Sequence, residues 1–162
     1  MKKGDKIQPT IIPILELSDL YNTIIREVQG KASLKSKYLY LGWHGAKAWK
    51  SVDSSYKISA EGLQLINDHF IEIDEIVRSN SNGKKYNLVS LGTGTGEEDV
   101  KILDVLLRKY RTDAIPFFKI FTIDISIELL NEGAHRLANK ANNHPKLKKS
   151  VLDIIPINVD IE

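Results

Sequence analysis

The sequence predicts an α/β protein: a helical N-terminal segment followed by an incomplete, doubly wound parallel sheet. Three observations carry this. Apolar, β-forming runs at 86–91, 118–123 and 156–161 alternate with helix-period stretches, the pattern of right-handed βαβ units. Residues before 84 carry helical periodicity and no strand alternation. The first strand runs directly into three alternating glycines, Gly92, Gly94 and Gly96, and then into a helix. That order of strand, glycine turn and helix is the setting in which a glycine-rich motif meets a nucleotide-like ligand. Residues 1–83 are thus expected to be an arm and helical segment, and 84–162 the first half of the α/β domain.

Taken in order, residues 1–15 hold Pro9 and Pro13 and no clear period, so they read as an extended arm. Ser18 is the expected cap of a helix with the stripe Tyr21, Ile24, Ile25 and Val28, and Gly30 stands where that helix should stop. Both tryptophans lie in an aromatic-rich window, Tyr38 to Tyr56, expected to be a satellite cluster packing the arm or a wall of the substrate site. Ser59 should cap one amphipathic helix through Leu63, Ile66, Phe70, Ile73 and Val77, closed by the polar loop 79–83. The first strand and glycine turn follow. The next helix should bury Val100, Leu103, Leu107 and Tyr110, and the second strand should end at Asp124. Ser126 should cap a third helix with the stripe Ile127, Leu130, Ala134, Leu137 and Ala141. A short helix is expected over 146–154, and a third strand over 156–161.

Composition narrows the function. A chain of 162 residues is one ordinary domain, and 42% hydrophobic with 27% charged residues is a globular balance. A formal net charge of +2 gives no case for nucleic acid, and Lys146, Lys148 and Lys149 read as a solvated face. The absence of cysteine excludes disulfide and thiol chemistry and fits a cytoplasmic setting. No run approaches a membrane span or a signal-peptide core. His44, His69, His135 and His144 show no metal-ligand spacing, so no metal is expected.

The glycine spacing selects among ligands. A dinucleotide fingerprint needs G-x-G-x-x-G; here the spacing is G-x-G-x-G, and Glu97 occupies the last glycine's position. Glu97, Glu98 and Asp99 suit the positive end of a helix but repel a pyrophosphate placed there. A positively charged ligand without phosphate on that side fits, and S-adenosylmethionine has both properties. The expected cofactor site is Gly92, Thr93, Gly94, Thr95 and Gly96. Asp124 would accept from ribose hydroxyls with Ile125 beside it, and Asp160 would face the adenine amino group. The sequence identifies no catalytic residue. The reading from another class is a non-catalytic nucleotide-binding or interaction module on the same scaffold.

From about Lys37 onward the chain resembles the histidine-specific methyltransferases of ergothioneine synthesis, a family of class I S-adenosylmethionine-dependent enzymes. The carriers are Lys37-Tyr38-Leu39-Tyr40 with Gly45 and Trp49, Tyr56 with Glu61, Leu91 to Glu97, Ile123 to Ser126 with Leu129 and Leu130, and Val159-Asp160. The resemblance implies a Rossmann-like class I methyltransferase core, of which this chain is the N-terminal, cofactor-holding portion. It also implies a substrate contact at Tyr56 and a small amino-acid-like acceptor. The tract Tyr56 to Glu61 lacks the family's arginine, and Glu98 stands where the family carries lysine, so histidine itself is not implied. The class I order places the three strands as three, two, one, with strand one apolar enough for burial on both faces. Its far edge would then need cover, either from a second copy in a homodimer or from the arm over residues 1–15.

Overall fold

The computed structural model describes residues 6–14, 16–30, 41–53, 58–81, 85–110, 116–145, 147 and 152–160. Its elements are β1 (Ile12–Pro13), α1 (Leu17–Gln29), α2 (Gly42–Asp53), α3 (Ile58–Asp68) and α4 (Phe70–Ser81). They continue with β2 (Lys85–Leu91), α5 (Glu97–Lys109), β3 (Phe117–Asp124), α6 (Ile127–Asn143) and β4 (Leu152–Asn158). The four strands form one parallel sheet in the order β1-β4-β3-β2. The three long strands thus lie in the expected order, third, second, first. No described helix is long and apolar enough to cross a membrane.

Successive strands step in one direction, so right-handed crossovers place α5 and α6 on the same face of the sheet. The burial pattern follows. Tyr86 of β2, Phe118 and Ile120 of β3, and Leu152 and Ile154 of β4 join Leu103, Leu106, Leu107, Leu137, Ala138 and Ala141 in one core. Along each long strand the even-numbered residues face that core, and the odd-numbered ones are half-buried or exposed. Val89 and Leu91 of β2 are 55% and 64% exposed, so the expectation that this strand is buried on both faces does not hold.

At the amino end of the sheet an aromatic and polar cluster ties α4 down. Tyr86 and Tyr110 both donate to the Asp74 carboxylate, and their hydroxyl oxygens lie 2.6 Å apart. Arg78 Nε donates to both Asp74 oxygens at 2.9 and 2.7 Å. Burial raises the pKa of Asp74, but hydrogen bonds from Tyr110, Tyr86 and Arg78 outweigh it and hold the carboxyl below its ordinary value.

Several boundaries differ from the sequence reading. The third strand spans 152–158, and the end of the expected helix over 146–154 is part of it. Pro156, read as the strand's start, lies in its middle. The carbonyl of Asn158 accepts from Ile14 N–H at 2.9 Å, so even-numbered backbone groups of β4 point to the β1 side, and the donor that Pro156 lacks is not missed by the β3 ladder. The helix expected from Ser59 to Val77 is two, α3 and α4, meeting at His69, where helical hydrogen bonds still run from the His69 amide to the Leu65 carbonyl and from the Ile73 amide to the His69 carbonyl, at 3.0 Å each. Ser18 lies inside α1, whose cap is Glu16, with Asp19 and Leu20 amides on the Glu16 carbonyl. Gly30 ends α1 with φ −74°, outside the left-handed region.

The described part of the arm, 6–14, does not cover the β2 edge. It pairs with β4 on the opposite side of the sheet, Ile12 beside Ile157 and Pro13 beside Asn158. Asn142 of α6 holds it further back: Ile7 N–H donates to Asn142 Oδ1 at 2.8 Å, and Asn142 Nδ2 donates to the Ile7 carbonyl at 3.1 Å. The Ile7 side chain enters the core. Asn142→Ala removes both bonds and is expected to cost about 1–3 kcal/mol. Hydrogen exchange checks it: the Ile7 and Ile14 amides should exchange faster in the variant, with strand amides of β2 and β3 protected as before.

Candidate functional site

The carboxyl ends of β2, β3 and β4 converge on one small region, the position at which open parallel sheets bind ligands. Gly92, Gly94 and Gly96 have φ of +65°, +53° and +69°, the left-handed conformation that side chains with a Cβ resist. The turn starts on β3: the Ile123 carbonyl accepts from the Gly92 and Thr93 amides at 2.8 and 3.2 Å.

Asp124 closes the turn. Its Oδ2 accepts from Gly94 N–H at 2.8 Å, and its Oδ1 accepts from Ser126 N–H at 2.8 Å. One buried carboxylate therefore joins the glycine turn to the cap of α6, where Ser126 Oγ accepts from Leu129 N–H at 3.3 Å. A carboxylate offers about four lone-pair sites, so capacity for a further donor remains beside these amides. Asn158 braces the same point from β4, donating from Nδ2 to the Asp124 and Ile125 carbonyls at 3.0 and 2.9 Å.

The three glycines are not equivalent. A Cβ on Gly92 would meet no atom within 4 Å. A Cβ on Gly94 would lie 3.4 Å from Trp49 Nε1, because α2 packs on α6 and brings the indole against the turn. A Cβ on Gly96 would lie 2.7 Å from the Cα of Gly133 in α6. Gly92 thus faces open space, Gly94 faces an aromatic edge, and Gly96 is a packing contact between turn and helix.

The acids of the first α5 turn divide likewise. Asp99 turns inward, is buried and accepts from Thr93 Oγ1. Glu97 and Glu98 stay on the surface, ion-paired to Lys101 at 3.1 and 2.9 Å. Burial pushes the Asp99 carboxyl above its ordinary value, against the hydrogen bonds from Ser90 and Thr93 that lower it. Burial likewise raises Asp124, against amide bonds from Ser126, Gly94 and Ile125.

Of the residues expected from the sequence, Gly92 to Gly96, Asp124 and Ile125 come together as one hydrogen-bonded unit. Thr93 is half-buried on Asp99, and Thr95 is buried. Asp160 lies two residues beyond β4, half-buried; the strand's own end is held by Asn158. Tyr56 falls outside the described residues, as do Tyr38 and Tyr40. Trp43 is 70% exposed, so it packs no cluster around the arm. Between α2 and α6 lies a cavity of about 250 Å³, lined by Trp43, Lys47, Lys50, Glu128, Leu129 and Glu132 and crossed by the Lys50–Glu132 ion pair.

Sequence reasoning missed Gly133 and Asn158. Gly133 interrupts an otherwise good helical stripe, and a helix-interior glycine costs about 0.5–1 kcal/mol relative to alanine, which marks a close approach. Asn158 is a polar residue inside an apolar strand, the signal of a side chain with backbone partners. No protein-family model matches the chain, and a search of the curated proteins finds no match.

Two outcomes follow from this geometry. Gly92→Ala meets only the left-handed strain, about 1–2 kcal/mol, whereas Gly96→Ala adds a backbone collision and should cost about 2–5 kcal/mol; denaturant melts of both variants compare them. Asp99 and Asp124 hold protons more tightly in the folded chain than in the unfolded one. Their contribution is most favourable below the ordinary value of 3.8 and is lost as pH rises through their raised values. Asp99→Asn removes one such group, so its stability relative to wild type should climb as pH rises from 3.8, measured by thermal melts across pH.

Proposed function

We propose that the chain binds S-adenosylmethionine at the carboxyl ends of β2 and β3, as the cofactor-holding part of a class I methyltransferase acting on a small amino-acid-like molecule. The observation that carries this reading is a single one. Three left-handed glycines and the acid ending the next strand form one hydrogen-bonded unit, with open space over the first glycine. The residues present fit the cofactor. Gly92 permits close approach without a Cβ, Asp124 keeps lone pairs for ribose hydroxyls, and Ile125 and Asp160 flank the strand ends where adenine would lie. Buried Asp99 and surface Glu97 and Glu98 disfavour a pyrophosphate and favour a cationic group. When bound, the cofactor supplies an electrophilic sulfonium methyl. The chain's part is to position it, with the α2–α6 cavity available to a small acceptor.

One observation favours a second reading, a turn that serves only to build an interaction module. Both Asp124 oxygens already accept amides, and Trp49 stands against Gly94. Binding measurements separate the two. On the cofactor reading, S-adenosylhomocysteine binds and raises the melting temperature, whereas NAD does not. Asp124→Ala then loses about 2–4 kcal/mol of binding. Because that change also unties the turn, Gly92→Ala is the cleaner probe: it should stay folded and lose affinity, since its methyl enters the ligand's space. Stabilisation by NAD alone would overturn the cofactor assignment, and a folded chain that binds neither compound would favour the module.

A further inference from the structure

Asn158 spends only half of its side-chain amide on the fold. It ends β4, paired in register with Asp124 of β3, and is 3% exposed. Its Nδ2 donates to the Asp124 and Ile125 carbonyls at 3.0 and 2.9 Å. Only a donor can face two carbonyl oxygens, so the orientation of the amide is fixed and both of its protons are used. Oδ1 is left on the other side of the group, and among the described residues nothing donates to it. Thr122, two residues before Asp124 on β3, keeps its own buried hydroxyl without a partner, so it does not supply that bond. Unlike the Thr122 hydroxyl, Asn158 Oδ1 is not sealed in the interior; it keeps an opening at the carboxyl end of the strand. An acceptor this deep, with lone pairs unspent, is costly unless a donor reaches it from outside the chain.

We propose that Asn158 reads the base of the bound nucleoside: Oδ1 accepts from the exocyclic amino group of adenine and so selects an aminopurine over an oxopurine. The assignment rests on the cofactor reading above and makes it more specific. Adjacent strands lie about 4.8 Å apart. A nucleoside whose ribose sits on Asp124 therefore carries its base over the end of the next strand, which Asn158 terminates. Adenine presents N–H donors there. Hypoxanthine presents a carbonyl oxygen instead; two acceptors then face each other, and the buried Oδ1 stays unpaired. Asp160, the acid that the sequence assigns to this contact, lies two residues past the strand, is half-buried and already makes an interaction of its own. The two tasks of Asn158 are linked. The bonds that brace the Asp124 and Ile125 carbonyls also set the direction of Oδ1, so the acceptor is preorganised before any ligand arrives.

Calorimetry on the full chain tests this with S-adenosylhomocysteine and S-inosylhomocysteine, which differ only in the amino against the oxo form of the purine. The wild type should bind the adenosyl compound at least about tenfold more tightly. Asn158→Ala should bring the two affinities within about threefold of each other, because no acceptor is left to be satisfied or offended. Asp160→Ala should keep the wild-type ratio, even where it weakens both compounds. The ratio is the readout, since a loosened turn alone weakens both ligands together. Asn158→Ser is the second variant: its hydroxyl can still donate to one carbonyl but is too short to replace Oδ1, and it too should lose the ratio. Should neither variant fold, the wild type still decides. In an isotope-labelled chain the Asn158 side-chain carbonyl carbon should move downfield with saturating S-adenosylhomocysteine and stay in place with the inosyl compound. A wild type that binds both compounds equally overturns the proposal and leaves the cofactor reading standing. So does a ratio unchanged in both Asn158 variants, a ratio lost only in Asp160→Ala, or a carbonyl that does not move. A folded chain that binds neither compound overturns both readings.

Discussion

The Asp124 carboxylate is the interaction on which the rest of the region depends. It takes one amide from the glycine turn after β2 and one from the cap of α6, at 2.8 Å each. Without it, three left-handed glycines would have little to hold them in one arrangement, since glycine loses more backbone freedom on ordering than any other residue. Burial outweighs the amide bonds and raises the carboxyl's pKa, so ionised Asp124 is held at a net cost. Asp99, buried in the first turn of α5, has the same balance. Asp74, at the other end of the sheet, has the opposite balance: hydrogen bonds outweigh burial there, as suits an acid that ties α4 to β2 and α5.

Close packing completes what Asp124 starts. Gly96 and Gly133 bring the turn and α6 into backbone contact, so no side chain separates them. In the dinucleotide fold the last glycine of the motif serves helix–strand packing. Here the packing glycine lies one position earlier, and its counterpart is a glycine on the following helix. This leaves position 97 free to carry an acid, which explains how the turn keeps its tightness while losing the phosphate-binding spacing.

The parts of the fold legible in the sequence were those decided by local physics. Val100, Leu103, Leu107 and Tyr110, with Leu130, Ala134, Leu137 and Ala141, mark the inner faces of α5 and α6, and the structure buries all of them wholly or in part. Ser126 caps its helix as read, because its amide and hydroxyl partners are within three residues. The misses needed information from elsewhere in the chain. Pro156 reads as a strand start because proline cannot donate to a ladder; only the structure shows that its nitrogen faces away from β3. The arm's destination depended on Asn142, more than a hundred residues from Ile7. Helix periodicity across His69 could not reveal the break between α3 and α4, since the apolar spacing continues through it.

The glycine turn and the odd-numbered face of the sheet are neighbours along the chain. The last row of that face contains Leu91 and Ile123, and the next residues are Gly92 and Asp124. The Ile123 carbonyl is the acceptor on which the turn begins, so the same residue offers its side chain to that row and its backbone to the site. This adjacency follows from topology. Strands stepping in one direction put both crossover helices on one face, and they bring all the carboxyl ends to one place. One topology therefore gathers the strand ends around the turn and sets α5 and α6 against the sheet face opposite the row that ends one residue before it.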